Sequence, residues 1–438
     1  MPLASFIFAL IFSCNLLCAD PFGWVPALEN GRFRPISSFH TDINLQAPTP
    51  INPSQPILEQ LKNISGAKII PTKLPGGVWV SINSLGTQTK NFTPYTDEAY
   101  ASLVAAYRQK DVHGILEILA DNYPKIAKTV YLKASGKSLS YPSIAQLKAE
   151  LYYNKLPLIP AALFFYCAGV IFLLFFKRGG RPLLWVAFIL HTIILALRCF
   201  ILERPPVSNM FETVIYVPWI SVGLSLIFDW KKQHTTLLAS GALAAIILMI
   251  LLKVTGLNEK LENVQAVLDS QFWLLIHVLL VVGSYGIFIL AGVLAHIELV
   301  KNPYQIPRSP LLPLLYLGTV ALITGTILGG IWAAQSWGRF WDWDPKESWA
   351  FVSSCIYLLL IHAFRFGKIS TRGLAIGSII GLLAISFTWY GVNYILGTGL
   401  HSYGFGNGGE IWYYLYVASE ALFLLWTKKS VANKIGLN

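Results

Sequence analysis

The sequence is poor in cysteine and has no paired cysteine motif. Five cysteines occur among 438 residues, and neither CxxC nor CxxCH is found. Thiol–disulfide oxidoreductases use the first motif, and c-type cytochromes attach their haem through the second. Both classes are therefore excluded for this chain.

Charge is also scarce. Asp, Glu, Lys and Arg make up 13% of the residues, while 55% are hydrophobic, and the mean hydropathy of +0.56 is high for a soluble protein of this length. The formal net charge is +11, but many Lys and Arg residues lie in short loops between apolar runs, as topology signals do. These features predict a polytopic membrane protein with no nucleic-acid partner.

Two segments, 1–19 and 20–156, precede the first long apolar run. The first is short and apolar with no Lys or Arg, and it fits either a cleaved signal peptide or a retained anchor. Both readings place residue 20 outside the cytoplasm. In the second, "DEAYASLVAAYRQKDVHGILEILADNY" and "YPSIAQLKAELYYNK" have helical spacing, and "GGVWVSIN" suggests a strand. We expect a mostly helical extracytoplasmic domain.

The remaining segment, 157–438, contains nine apolar runs that are each long enough to cross a bilayer. The predicted fold is an all-α polytopic membrane protein with about nine transmembrane helices, at 157–176, 182–202, 211–229, 235–253, 272–296, 312–332, 349–366, 372–395 and 411–427. Lys and Arg concentrate in the loops that face the cytoplasm if residue 20 lies outside. This predicts a multi-pass membrane protein with a cytoplasmic C-terminus and with residues 332–349 on the outer side.

The segment "WAAQSWGRFWDWDPKESWAF" contains an unusual concentration of tryptophan. Five of the fourteen tryptophans lie here: Trp332, Trp337, Trp341, Trp343 and Trp349. An interfacial belt accounts for one or two. Because an indole combines a flat apolar face with an N–H donor, several together suit the wall of a site for a flat apolar macrocycle. Arg339 could then pair with a carboxylate of that ligand.

Part of this segment predicts a helix start. Asp344 suits the N-cap, Pro345 the first helical position and Glu347 the third. We therefore interpret Asp344, Pro345 and Glu347 as structural capping residues. The functional interpretation stays with the tryptophans, above all Trp337, Trp341 and Trp343, with Trp332 beside them.

Four of the eight histidines are placed by the predicted spans at two matched depths. His277 and His401 fall at the outer face, on either side of the tryptophan-rich segment, and His191 and His362 fall in the inner half of the membrane. Ionisable side chains within spans indicate function, and imidazole is a common ligand of porphyrin iron. The alternative is that each histidine only hydrogen-bonds a neighbouring helix. The matched depths of the two pairs argue against this alternative.

These motifs together resemble a known family. "WGRFWDWDPKESW" is similar to the WWD signature of the haem-handling proteins of cytochrome c maturation, CcsA, CcmC and CcmF. "RPPVSNMFETVIYVPW", "FWLLIHVLLVVGSY", "GLHSYGF" and "GRFRPISSF" resemble segments of the CcsA (ResC-type) branch. "LKAELYYNK" fits its long forms. The resemblance covers about 22–40 and 140–425.

The resemblance implies a subunit that delivers haem b, as a transported substrate, for thioether attachment at the CxxCH of apocytochrome c. It implies external iron ligands at His277 and His401 and an intramembrane ligand at His362, paired with His191 or with a histidine of a partner chain. The implied partners are a separate ResB/CcsB-type subunit, apocytochrome c and a thioredoxin-like thiol reductant. No residue is predicted to catalyse the attachment covalently, so lyase activity would come mainly from positioning the haem.

Three other interpretations stay open. A CcmC-like protein would pass haem to a chaperone, but those chains are shorter and lack a long external domain. A transporter of another amphipathic solute would use the histidines as proton relays. A structural membrane subunit would bind no cofactor.

Overall fold

The structure is a computed structural model, and it describes residues 24–29, 32–35, 68–71, 79–81, 97–109, 111–126, 130–132, 138–176, 179–232, 234–255, 257, 261, 271–302, 306, 309–397 and 410–435. Every structural statement below concerns these residues. The chain divides into two compact units, Met1–Pro157 and Leu158–Asn438. Each is described by itself.

The first unit combines short strands with three helices. Four strands pair antiparallel in the order β2-β1-β3-β4, and β5 pairs with β6. The elements are β1 (Pro26–Glu29), β2 (Arg32–Pro35), β3 (Lys68–Pro71), β4 (Trp79–Ser81), α1 (Asp97–Arg108), α2 (Val112–Ile126), β5 (Val130–Leu132), β6 (Ser138–Ser140) and α3 (Ile144–Lys155). Leu103, Ile115 and Leu147 are buried in this unit.

The predicted helices of this unit and the strand at "GGVWVSIN" are present. The other five strands were not predicted, because strands of three or four residues are too short to show a period-two pattern. α3 begins with a capping box in which the side chains of Ser143 and Gln146 each bond the other residue's backbone N–H.

The second unit is helical. Its elements are α4 (Leu158–Phe175), α5 (Gly180–Leu202), α6 (Met210–Lys232), α7 (Thr235–Val254), a single turn (Gln271–Trp273), a first π-helix π1 (Leu274–Val278), α8 (Leu279–Lys301), α9 (Leu311–Trp337), α10 (Pro345–Arg365), α11 (Thr371–Ser386), a second π-helix π2 (Phe387–Leu396) and α12 (Glu410–Ile435).

Eight helices among the described residues are long and apolar enough to cross a membrane, which confirms the all-α polytopic fold. They correspond to the first eight predicted spans. The ninth, 411–427, is helical within α12 but does not meet the same criterion, because Glu410, Glu420 and three tyrosines lower its hydropathy.

α8 is the central helix of this unit, and it packs against α6, α7, α9 and α11. Small residues at the contacts allow these helices to approach closely. A Cβ at Gly286 would lie 2.5 Å from the Val217 carbonyl oxygen, and one at Gly318 would lie 2.7 Å from the Phe288 ring. Close helix approach at small residues is typical of membrane bundles, where dispersion contacts replace the hydrophobic effect between helices.

Candidate functional site

A cavity with an empty volume of about 1080 Å³ lies at one end of the helical unit. α6, α8 and α10 begin at this end, while α9 and π2 end there, and we call it the tryptophan end. The lining includes four residues that the sequence singled out and four that it did not: His277, Trp332, Trp341, Glu347, Tyr285, Lys346, Trp389 and Asn393.

His277 lies in π1, at the start of the central helix. Its Nδ1 lies 2.7 Å from the Gly325 carbonyl oxygen, so Nδ1 carries the proton and the lone pair is on Nε2. A histidine that binds a metal usually has its other nitrogen held in this way. Gly329 makes room for the ring, because a Cβ there would lie 2.5 Å from Cε1 of His277.

The tryptophans form a wall beside this histidine. Trp332 is 3% exposed, its ring centroid is 5.8 Å from that of His277, and it stacks on Trp337 at 6.3 Å. Trp341 meets Trp343 edge to face at 5.9 Å, but Trp343 is 71% exposed. Trp332 and Trp341 therefore line the cavity, and Trp337 and Trp343 stand behind them.

The loop between α9 and α10 turns at two residues with positive φ. Gly338 ends α9 at a φ of 73°, and Trp343 has a φ of 56°, which is strained for a bulky side chain. The helix start that follows has the capping geometry expected from the sequence. The Asp344 side chain accepts from the backbone N–H of Lys346 at 2.9 Å, and Glu347 Oε2 accepts from the backbone N–H groups of Asp342 and Asp344.

Arg339 points to a different partner from the one considered at the sequence level. Its guanidinium pairs with the Asp342 carboxylate at 2.8 Å, and both side chains are more than 40% exposed. Arg339 is not among the residues that line the cavity. The structure therefore offers no contact that supports Arg339 as a carboxylate-binding residue inside the site.

Lys346 is the cation that lines the cavity. Its Nζ donates to the carbonyl oxygens of Thr388 and Trp389, both at 2.8 Å, so it ties the start of α10 to π2. Trp389 is fixed in turn, because its Nε1 donates to Thr213 Oγ1 at 3.0 Å. Sequence reasoning missed Lys346, since it reads as one polar residue of a helix start. Its position between Trp343 and Trp349 was the available signal.

His401 lies outside the described residues, so its pairing with His277 stays a prediction. π2 ends at Leu396 at the tryptophan end, and Asn393 near that end lines the cavity. In the sequence, Asn393 precedes His401 by eight residues.

The two inner histidines are not brought together by any contact of the described residues. His191 is fully buried, and both ring nitrogens are engaged, with the Tyr166 hydroxyl at 3.1 Å and the Ile215 carbonyl at 2.9 Å. His362 instead lies on the exposed face of α10, with Nδ1 bonded to the Leu358 carbonyl at 2.7 Å. The geometry gives His191 a packing role and leaves its pairing with His362 unsupported.

Comparison with known proteins finds relatives of the helical unit. Residues 207–401, which include all the residues that line the cavity, match the family of cytochrome C assembly proteins. Protein NrfI of Wolinella succinogenes is 34% identical over 294 residues, which is 61% of this chain and 32% of NrfI. The cytochrome c biogenesis protein CcsA of Chlamydomonas reinhardtii is 29% identical over 46% of this chain and 62% of its own length.

A third relative is matched over almost its whole length. CcsA of Prochlorococcus marinus (strain AS9601) is 28% identical over 61% of this chain and 96% of its own length. The chain thus spans about a third of NrfI but nearly all of this shorter CcsA. The helical unit, with its tryptophan-lined cavity, is thus similar to cytochrome c biogenesis proteins of the CcsA type.

Proposed function

We propose that this protein acts in cytochrome c biogenesis by carrying haem b to the tryptophan end and holding it there for attachment to apocytochrome c. One observation carries the proposal. His277 stands in a cavity walled by indoles, with Nδ1 bonded to a backbone carbonyl and its lone pair on Nε2. That donor set and those flat apolar walls fit an iron porphyrin.

In this proposal His277 is one axial ligand of the haem iron, and His401 is the other. Trp332 and Trp341 cover the porphyrin faces and exclude water, while Gly329 keeps the imidazole close to α9. The attachment adds each cysteine S–H of the CxxCH motif across a vinyl C=C bond. Carbon and sulfur form the new bond, the proton goes to the other vinyl carbon, and no external oxidant is consumed.

The chain's own contribution is to position the reactants. The cysteines among the described residues, Cys167, Cys199 and Cys355, do not line the cavity. Holding two reactants in a productive geometry lowers a barrier by up to about 7–11 kcal/mol. The substrate's own histidine would replace one of the two axial ligands as the product leaves.

The proposal places the inner haem position at His362 and a partner subunit. His362 is exposed on α10 together with large apolar side chains, of which Leu359 is 72% and Phe366 74% exposed. An ionisable group on a spanning helix is costly when it faces lipid. A ResB/CcsB-type subunit that packs on this face would cover His362 and supply its paired ligand.

The proposed setting is the bacterial inner membrane. The tryptophan end and the first unit would face the periplasm, and the C-terminus would face the cytoplasm, as the Lys and Arg distribution favours. The first unit would dock apocytochrome c or the partner, and a thioredoxin-like reductant would keep the substrate thiols reduced.

The direct test is covalent attachment in cells that lack their own system. The full chain is expressed with a ResB-type subunit and an apocytochrome c, and covalent haem is measured on a denaturing gel and as a pyridine haemochrome. We expect attachment with the wild type and little with His277→Ala. His234→Ala is the control and should give normal levels, because His234 lies at the opposite end, before α7, and its side chain makes no capping hydrogen bond. Haem that accumulates on the wild type without transfer would favour the CcmC-like alternative.

A further inference from the structure

The cavity contains a cation that the proposed chemistry has not used. Lys346 is the second residue of α10, where the helix dipole disfavours positive charge. Two of its three N–H donors are taken by the carbonyls of Thr388 and Trp389. Within the described residues its Nζ forms no ion pair inside 4 Å, so one N–H donor remains for a ligand in the cavity.

Three acidic side chains at this end of the unit already have partners. Glu347 lines the same cavity but accepts from the backbone N–H groups of Asp342 and Asp344. Asp344 caps α10, through the backbone N–H of Lys346 rather than its ammonium. Glu212, on α6, is bound by the guanidinium groups of Arg198 and Arg204. A half-buried ammonium without an anion is costly, and an anionic ligand would remove that cost.

A second, independent feature marks the same place. Asn393 lines the cavity and is 9% exposed, and its Oδ1 has no hydrogen-bond partner. Buried polar atoms are almost always bonded, so an unpartnered one in a cavity wall indicates a missing ligand. A rotation about χ2 turns the amide NH₂ into the position of Oδ1, and the side chain can then donate to an oxygen anion.

We propose that Lys346 and Asn393 together bind a carboxylate of the ligand in this cavity. This rests on the proposed function, in which the ligand is haem and the carboxylate is a propionate. The ammonium would supply charge, and the Asn393 amide would supply a directed hydrogen bond. Both propionates lie on one edge of the porphyrin, so this anchor turns the vinyl edge away from the wall formed by α10 and π2.

The proposal assigns to Lys346 what the sequence suggested for Arg339. The two cations are seven residues apart, but Arg339 is neutralised by Asp342 at the exposed surface, whereas Lys346 lines the cavity. Both assignments predict tighter binding of the free acid than of its ester, but they differ in which substitution, at Lys346 or at Arg339, removes that preference.

The test is a thermodynamic cycle between protein and ligand. Detergent-purified full-length protein is titrated with iron protoporphyrin IX and with its dimethyl ester, and both affinities are taken from the Soret band. For the wild type, the free acid should bind more tightly than the ester. In Lys346→Met this preference should fall about tenfold, which corresponds to about 1.4 kcal/mol, while the affinity for the ester stays within a factor of two or so.

Three further variants complete the experiment. Asn393→Asp is nearly isosteric and puts a second carboxylate beside the propionate, so it should weaken binding of the free acid and leave the ester unaffected. Lys346→Arg should restore part of the preference. Lys368→Met, at an exposed lysine beyond α10, should change neither affinity.

The possible contradictions are distinct. Equal losses for acid and ester in both Lys346→Met and Asn393→Asp would show a structural role and overturn the proposal. A preference that is lost in Arg339→Gln and kept in Lys346→Met would assign the anchor to Arg339 and overturn it as well. If the wild type binds neither porphyrin, the proposed function itself fails.

Discussion

At the residue scale, the account depends on how closely His277 is fitted to its surroundings. The imidazole is held by the Gly325 carbonyl on one side and by the absence of a side chain at Gly329 on the other. Both glycines belong to α9, the helix that ends in the tryptophan-rich segment. The position of the proposed iron ligand is thus set by backbone groups of a neighbouring helix.

Gly329→Ala should therefore impair haem binding while the fold survives. Its Cβ would lie 2.5 Å from Cε1 of His277, so the ring must move off the Gly325 carbonyl. We expect a broadened Soret band and at least a several-fold loss of co-purified haem. The matched control is Gly283→Ala on α8, where a Cβ would make an ordinary 3.5 Å contact with the Tyr216 hydroxyl. Equal spectra for the two variants would contradict this reading.

Asp344→Ala should lower both stability and site order. Loss of an N-cap costs about 1 kcal/mol, and here it also frees the loop whose strained Trp343 precedes the cap. The control is Ser370→Ala, the N-cap of α11 at the opposite end, which accepts from the backbone N–H of Gly373. Thermal unfolding should shift similarly in both variants, but only Asp344→Ala should weaken the haem spectrum. An unchanged haem spectrum in Asp344→Ala would show that the cap does not support the site.

Individual residues also show where sequence reasoning stops. His277, Trp332 and the cap at Asp344 could be predicted, because spacing and residue type are visible in one dimension. The positions of Arg339 and Lys346 relative to the cavity could not, because they depend on the direction of the chain through Trp343, where φ is 56°. A positive φ at a tryptophan cannot be predicted from the residue type.

At the element scale, α5 and α6 are joined at the tryptophan end by a buried ion cluster. Glu212 and Arg198 are both completely buried and lie 3.0 Å apart, and Arg204 reaches the same carboxylate at 2.9 Å. Ser208 donates its backbone N–H to Glu212 as well. The cluster holds the start of α6, where Met210 and Thr213, together with the preceding residues Val207, Ser208 and Asn209, line the cavity.

Glu212→Gln should destabilise the protein strongly, because two guanidinium groups would lose their anion. Breaking a buried ion pair costs about 3–5 kcal/mol. Asp229→Asn, which breaks the more exposed pair with Arg181 at the opposite end, should cost less. Chemical unfolding in detergent, followed by tryptophan fluorescence, gives both values. The reverse order would contradict the account.

The spans themselves were predictable from apolar length, but the π-helices were not. π1 carries His277. π2 contains Asn393 and the two carbonyl groups that accept hydrogen bonds from Lys346. A π segment leaves no distinct pattern in sequence, since its residues are as apolar as those of the α-helices that it interrupts. Such segments are frequent at functional sites, and both of these occur at the cavity.

At the scale of the whole molecule, two histidines of similar predicted depth have opposite surroundings. His191 is buried with both nitrogens bonded, and His362 is exposed on α10. His191→Ala should lower stability by about 1–3 kcal/mol, because buried polar partners lose their bonds, without changing the haem spectrum. His362→Ala should leave stability unchanged, and it should lower haem content only when a ResB-type subunit is present. Cys355→Ala, also exposed on α10, is the control. Haem loss in His191→Ala with none in His362→Ala would reverse these assignments.

The central claim is that the tryptophan end binds haem between His277 and His401. Its most direct test is the visible spectrum of the purified full chain, with the wild type beside His277→Ala and His401→Ala. The account predicts a Soret band with sharp reduced α and β bands in the wild type, and their loss or broadening in each variant until imidazole is added. A colourless wild type, expressed with its partner and ample haem, would contradict the claim and leave the tryptophans as an interfacial belt.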